Sequence, residues 1–164
     1  MTEQWRPIAG YDGSYEVSDA GRVRSLDRVN SRGWRLSGKV LSPGRNNRHG
    51  HLSVLLCTPG VQDSRFVHIL VLEAFVGPRP PGMFGCHTND IPSDNRIENL
   101  RWDTPRANRL DSVRNGTHPN ANKTECPKGH PYSPENTYHH PSTGSRICRE
   151  CRRANNRARM ESAS

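Results

Sequence analysis

Aromatic residues are scarce in this chain: Phe, Trp and Tyr together make up 6% of its 164 residues, and all hydrophobic types only 31%. Mean hydropathy is −0.91. So little apolar surface argues against one large core. It favours small modules held by local packing or by metal, because pieces of this size bury too little to be stable alone. The shortage of aromatic rings also speaks against an RNA-binding zinc protein that stacks unpaired bases. No run of 18 apolar residues occurs, the longest stretch being the few residues around Ile69 to Leu72, which excludes a membrane-spanning helix. The five cysteines are an odd number, and Met1 leads straight into Thr2-Glu3-Gln4 without a signal peptide. A secreted disulfide framework is therefore disfavoured, and a reducing cytoplasm is expected.

Positive charge is what the chain has in excess. The net charge is +8 and the pI about 9.8, which points to a polyanionic partner. Of 24 basic residues, 21 are Arg and three are Lys. The planar guanidinium fork suits phosphate oxygens and guanine edges, although a GC-rich coding sequence also enriches Arg.

Residues 1–28 place Trp5, Ile8, Tyr11, Tyr15, Val17, Val23 and Leu26 between the turn signals Gly10, Asp12-Gly13 and Asp19-Ala20-Gly21. Short strands with tight turns follow from that pattern. The stretch WRPIAGYDGSYEVSDAGRVRSLDR resembles the nuclease-associated modular motif found ahead of HNH domains, which implies a part in holding DNA; a plain β-hairpin is the alternative. Arg22, Arg24 and Arg28 are expected on one strand face, as a basic stripe or a solvated edge. Residues 30–50 read as a loop with a short strand at Lys39-Val40-Leu41. A strand at 51–57 is expected to pair with 65–67 across Thr58-Pro59-Gly60. A short helix at 68–75 follows, with Leu70, Val71, Ala74 and Phe75 on its apolar face. A second helix at 105–115 is capped by Thr104, opened by Pro105 and closed by Asn115-Gly116.

The segment CHTNDIPSDNRIENLRWDTPRAN, residues 86–108, carries the chemistry. His87 is followed twelve positions later by Asn99 and nine beyond that by Asn108, around a polar turn anchored by Ile97, Leu100 and Trp102. Such spacing resembles the HNH nucleases, named for His-Asn-His, in the subgroup whose last position is Asn. The resemblance implies a ββα-metal fold, DNA as substrate, and products with 5′-phosphate and 3′-hydroxyl ends. It also implies that His87 is the general base, that Asn99 braces the loop aiming it, and that Asn108 is a ligand of one divalent cation, Mg²⁺ or Mn²⁺. A neutral imidazole near its reference pKa of about 6.5 can take a proton from water at neutral pH. Where the family commonly has an acidic metal ligand before the base, this chain has Cys86. Thiolate is a poor donor for Mg²⁺. Three outcomes stand: Cys86 binds a softer ion, a carboxylate such as Asp90 replaces it, or water completes the shell. The stretch VHILVLEAFVG is similar to the subgroup's lead-in helix, which implies a hydrogen-bonding role for His68 rather than ligation. Arg96, Arg101, Arg106 and Arg109 surround the unit as candidate phosphate contacts, or as merely solvated charges on a scaffold.

A second constellation is Cys126-x3-His130, then seventeen residues, then Cys148-x2-Cys151. Three thiolates and an imidazole match tetrahedral Zn²⁺. His139 and His140 lack a knuckle and are read as exposed. The tail has almost no core beyond Tyr132, Tyr138 and Ile147, so zinc is expected to supply most of its folding energy, on the order of 10 kcal/mol or more. Beyond Cys151, a helix carrying Arg152, Arg153, Arg157 and Arg159 either follows a DNA backbone or is a solvated tail.

The expected architecture is α+β in three parts: a β-rich module at 1–50, an HNH core at 51–116 and a zinc-binding module at 117–164. The expected function is a metal-dependent endonuclease of phage or homing type acting on double-stranded DNA, in the host cytoplasm if phage-encoded. A double-strand break would call for a homodimer or two sequential events. The alternative is a DNA-binding accessory protein whose metal site no longer cuts.

Overall fold

A computed structural model describes residues 2–11, 13–30, 32–45, 49–58 and 60–162. Asp12 and Pro59, each read as part of a turn, lie outside the described residues. The chain forms two compact units, Met1–Asn115 and Gly116–Ser164.

In the first unit, β1 (Trp5–Pro7), β2 (Tyr15–Ser18) and β3 (Val23–Ser25) form an antiparallel sheet in that order. Alternation places Tyr15 and Val17 of β2 inside, facing Ile8 and Val23. Arg28–Val29 (β4) and Arg35–Leu36 (β5) make a small hairpin. Arg28 therefore leaves the strand that carries Arg24, which corrects the expected three-arginine stripe; β3 ends at Ser25 and the chain turns. Val40 makes only an isolated bridge to Arg24 rather than a strand. A second sheet has the order β6 (Gly44–Arg45), β7 (Leu52–Thr58), β8 (Val61–Phe66). The partner of β7 thus begins at Val61, earlier than expected, and Val67 already belongs to α1 (Val67–Phe75).

The segments 1–50 and 51–116, read from the sequence as two modules, share one core. Ile8, Tyr15, Val17 and Val23 pack with Val54 and Leu56 of β7, with Val67, Leu70, Val71 and Leu72 of α1, and with Leu100. The hydroxyl of buried Tyr15 accepts from Cys57 N and donates to Cys57 O, both at 3.1 Å, so its polar tip is satisfied inside the core. Leu72, outside the expected apolar face, is fully buried because neighbouring strands cover both sides of so short a helix.

The hairpin β9 (Phe84–His87) and β10 (Leu100–Asp103) comes next, with Leu100 opposite His87 and Arg101 opposite Cys86. A single 3₁₀ turn, Ile97–Asn99, precedes β10. Helix α2 (Pro105–Arg114) then packs against β9. Thr104 Oγ1 accepts from Ala107 N at 3.2 Å and Pro105 occupies the first turn, as the capping pattern predicts. Trp102 is anchored through Nε1 to Gly77 O at 3.0 Å.

The β2–β3 turn touches the 88–99 loop directly. Ile97 N donates to Asp19 O at 2.8 Å, and a Cβ on Gly21 would stand 2.7 Å from Asn95 Cβ and 2.8 Å from Asn95 O. Gly21 also has φ +77°, a conformation costly for L side chains. Gly21→Ala is expected to destabilise the unit by about 2 kcal/mol or more, from backbone strain plus displacement of Asn95. Denaturant unfolding checks this; an unchanged midpoint would disprove the contact.

In the second unit, Cys126 to His130 forms a knuckle. Gly129 has φ +79°, Gly129 N donates to Cys126 O and Cys126 N to His130 O, both at 2.9 Å. Strands β11 (Thr137–His139) and β12 (Arg146–Cys148) pair, and α3 (Arg149–Glu161) follows directly with Cys148 as its N-cap.

Candidate functional site

His87 ends β9, is 6% exposed, and its Nε2 lies 3.1 Å from Asn95 Oδ1. With the proton on Nε2 and Asn95 accepting, the lone pair remains on Nδ1. Burial pulls His87 below its ordinary pKa, with the Asn95 bond opposing, so the ring is held neutral. Asn99 has its backbone at the same end of the hairpin, where Thr88 N donates to Asn99 O at 2.8 Å. Its carboxamide ties the loop across: Oδ1 accepts from Asn89 N at 3.1 Å, and Nδ2 donates to Asn89 Oδ1 at 3.0 Å and Asp94 O at 2.8 Å. Asn99→Ala removes these three bonds and is expected to destabilise the loop by about 3 kcal/mol. Faster amide exchange at residues 88–96 would register it; unchanged exchange would contradict the bracing.

Cys86 and His87 are adjacent in β9 and point to opposite faces. The Cys86 thiol, buried, lies on the side of Arg101, Asp103 and Asp111, and burial pushes its pKa up. There the Arg101 guanidinium donates to Asp103 at 2.8 Å, to Thr88 at 2.9 Å and to the buried Asp111, which Arg114 also engages. Asn108 is exposed in the first turn of α2, and its carboxamide makes no hydrogen bond among the described residues. Asp90, with φ 56°, accepts from Asn115 Nδ2 at 3.2 Å and so ties the loop to the end of α2.

Sequence reasoning missed the surroundings of His87. The rings of His51 and His68 stand with centroids 5.4 Å and 5.1 Å from it, and 4.9 Å from each other. Burial lowers the His68 pKa to about 3 and also lowers that of His51. His68 was expected to hydrogen-bond at the helix start, yet its buried Nδ1 has no partner among the described residues. The ring is packed between Phe66, His51 and His87 instead. Asn95, which holds His87, was also unremarked; its signal was the doubled Asn spacing in DNRIEN, indistinguishable by sequence from turn chemistry.

Of the basic residues, Arg22 and Arg24 stack over Trp5, 5.7 Å and 4.2 Å from its ring centroid, and pair with Glu3 and Glu16 respectively. Arg28 lies 5.0 Å above the Tyr15 ring. Arg96 is held by Asp94 at 2.9 Å and Glu98 at 2.6 Å, and its guanidinium keeps the Asp94 carboxyl down at about 2. Arg106 and Arg109 are exposed on α2 with no ion pair among the described residues.

In the second unit, Cys126, His130, Cys148 and Cys151 converge, all ligand atoms lying within 4.8 Å of one another. Cys126 Sγ is 3.6 Å from Cys151 Sγ and 3.5 Å from His130 Nδ1; His130 Nδ1 is 3.3 Å from Cys151 Sγ and 3.7 Å from Cys148 Sγ. Tetrahedral donors about 2.0–2.3 Å from one ion stand roughly 3.5 Å apart, so the set fits a metal. Lys128 N and Cys151 N aim at the Cys126 and Cys148 sulfurs at 3.4 Å and 3.5 Å, and the Cys151 N–H lowers the Cys148 pKa. Buried Asn136, not singled out from sequence, donates to Cys148 Sγ at 3.5 Å and accepts from Glu150 N at 3.0 Å. Arg152, Arg153 and Arg157 are exposed on α3, with Arg152 5.4 Å over the Tyr138 ring.

A β-hairpin whose first strand ends in a buried histidine, closed by a helix with an exposed carboxamide in its first turn, makes a ββα unit. Residues 3–57 match the NUMOD4 motif and residues 65–110 match HNH endonuclease. The chain is 30% identical over 114 residues to DNA endonuclease I-HmuI of Bacillus phage SP01, covering 70% of this chain and 60% of that protein. It also resembles a solved structure described as DNA binding and cleavage by the HNH homing endonuclease I-HmuI, with TM-score 0.57 and 29% identity over 70% of this chain and 60% of that one. The chain thus spans about 60% of the length of the relative it matches. It carries an HNH endonuclease match at residues 65–110 behind an N-terminal NUMOD4 motif at residues 3–57. Among the described residues, no helix is long and apolar enough to cross a membrane.

Proposed function

We propose that the chain is a metal-dependent endonuclease that hydrolyses phosphodiester bonds of double-stranded DNA, with His87 as the general base. The observation carrying this is the hydrogen bond from His87 Nε2 to Asn95, on a loop cross-tied by Asn99, in a hairpin-plus-helix unit within the HNH match. Asn95 fixes the tautomer, so Nδ1 is free to take the proton from the attacking water. Asn99 acts through the loop and is a positioning residue.

Asn108 would hold the divalent cation, Mg²⁺ or Mn²⁺, through its carboxamide oxygen. When bound, that ion supplies charge neutralisation at the scissile phosphate. Cys86 fits this role poorly: its thiol is buried, kept protonated and on the side of a guanidinium. Phosphate and water oxygens are left to complete the shell. Arg106 and Arg109 are the free cations nearest Asn108 in sequence and are assigned to phosphates beside the cut. Arg22, Arg24, Arg28 and Arg96, already engaged by acids or rings, are secondary DNA contacts. Arg152, Arg153 and Arg157 are assigned to backbone contact from the tail, where Zn²⁺ on Cys126, His130, Cys148 and Cys151 holds the fold. A double-strand break by this chain would take two copies or two events.

A second reading, a DNA-binding accessory protein that does not cut, is favoured by two observations: a cysteine, Cys86, in place of an acid, and the 6% exposure of His87. Supercoiled plasmid incubated with Mg²⁺ or Mn²⁺, against a chelator control, separates the two. Nicked or linear product only with metal supports the nuclease; a gel shift with intact DNA under every divalent ion supports the binder.

A further inference from the structure

The histidine cluster, buried at His68 and His87 and half-buried at His51, is not accounted for by general-base chemistry, which needs one imidazole. His51 immediately precedes β7, His68 comes from α1 and His87 from β9, and their ligand nitrogens lie within 4.8 Å of one another. Rings bound to one tetrahedral ion through nitrogens about 2.0–2.1 Å away have centroids roughly 5 Å apart. The observed separations are 4.9, 5.1 and 5.4 Å. His68 is 6% exposed and its Nδ1 has no hydrogen-bond partner among the described residues, a costly state for a buried nitrogen that a bound ion relieves. Asn95 Oδ1 on His87 Nε2 is the outer bond that ligating histidines commonly make through the nitrogen not on the metal. Gly85, two residues before His87 on the same face, keeps the cluster tight: a Cβ there would stand 2.9 Å from the His68 ring.

We propose that His51, His68 and His87 bind one borderline transition-metal ion, of which Zn²⁺ is the physiological candidate, and that its binding withdraws the His87 lone pair from hydrolysis. Three nitrogens with no carboxylate select Zn²⁺, Co²⁺ or Ni²⁺ over Mg²⁺ and Mn²⁺. The site differs from the one assigned to Asn108 in its donors: three imidazoles here, against a carboxamide oxygen completed by phosphate and water oxygens there. The consequence for hydrolysis rests on the nuclease reading; the site itself does not.

The test is Co²⁺ titration of the full chain with bound metal counted. His51→Gln and His68→Gln are each expected to hold one ion fewer than wild type. Independently of any substitution, Co²⁺ is expected to shift ring N–H proton resonances of His51, His68 and His87 in wild type besides those of His130. Equal metal content in variants and wild type, or a shift confined to His130, overturns the proposal. On plasmid DNA with Mn²⁺, added Zn²⁺ is expected to slow wild-type cleavage by about 100-fold or more, the usual contribution of a general base. The ratio of rates with and without Zn²⁺ should return to near one in His51→Gln; an equal ratio in both proteins overturns the regulatory half. Should the chain cut no DNA with any ion, the nuclease reading fails while the Co²⁺ result judges the site alone.

Discussion

Replacing His87 by alanine is expected to lower metal-dependent plasmid cleavage by about 10²–10⁴-fold, the range a positioned general base contributes. Binding should survive, because no phosphate-facing cation is removed, so kcat falls while KM stays close to wild type. The fold should persist too, although an imidazole packed against His51 and His68 is lost and some stability with it. Single-turnover nicking of supercoiled DNA, read beside a gel-shift titration and a circular dichroism spectrum, distinguishes these effects. Equal nicking by wild type and His87→Ala would remove His87 from the mechanism. Asn95 is bonded to the ring rather than placed at the reacting atoms, so its contribution runs through the orientation of His87.

Removing metal from the tail is the second large effect. The unit Gly116–Ser164 buries few apolar side chains, and α3 has no buried residue among those described. Its order is expected to depend on a metal held by the four donors that join the 126–130 knuckle to the start of α3. Chelation, or Cys148→Ser, is expected to cost on the order of 10 kcal/mol of metal-linked folding energy, enough to unfold a module of this size. The helical circular dichroism signal of α3 should fall, and the unit should become sensitive to limited proteolysis. The transition of Met1–Asn115, which has its own apolar core, should remain. Metal analysis finding no tightly held ion, with the helical signal unchanged by Cys148→Ser, would refute the assignment.

Much of this was legible along the chain. The helix ends at Thr104-Pro105 and Asn115 followed from capping chemistry, which a few contiguous residues decide. The Cys126 and Cys148 knuckles were readable for the same reason: a tight turn places two donors on one ion without help from elsewhere. The fate of the arginines was less legible. Arg22, Arg24 and Arg96 read as free cations, yet Glu3, Glu16 and Asp94 engage them. Glu3 and Glu16 are brought beside Arg22 and Arg24 by pairing of β1 and β3 on β2, which composition does not report.

The amino-acid sequence by itself determined the spacing of His87, Asn99 and Asn108, the four-donor tail and the basic balance, because each is a local pattern or a sum over residues. Only the tertiary structure decided what stands around His87. His51 and His68 reach it from the residue before β7 and from α1, Asn95 reaches it from the loop, and Gly21 of the β2–β3 turn packs against that loop. Those contacts exist because one small apolar core draws the first sheet, β7, α1 and the hairpin together. No periodicity along the chain records which polar groups such packing encloses.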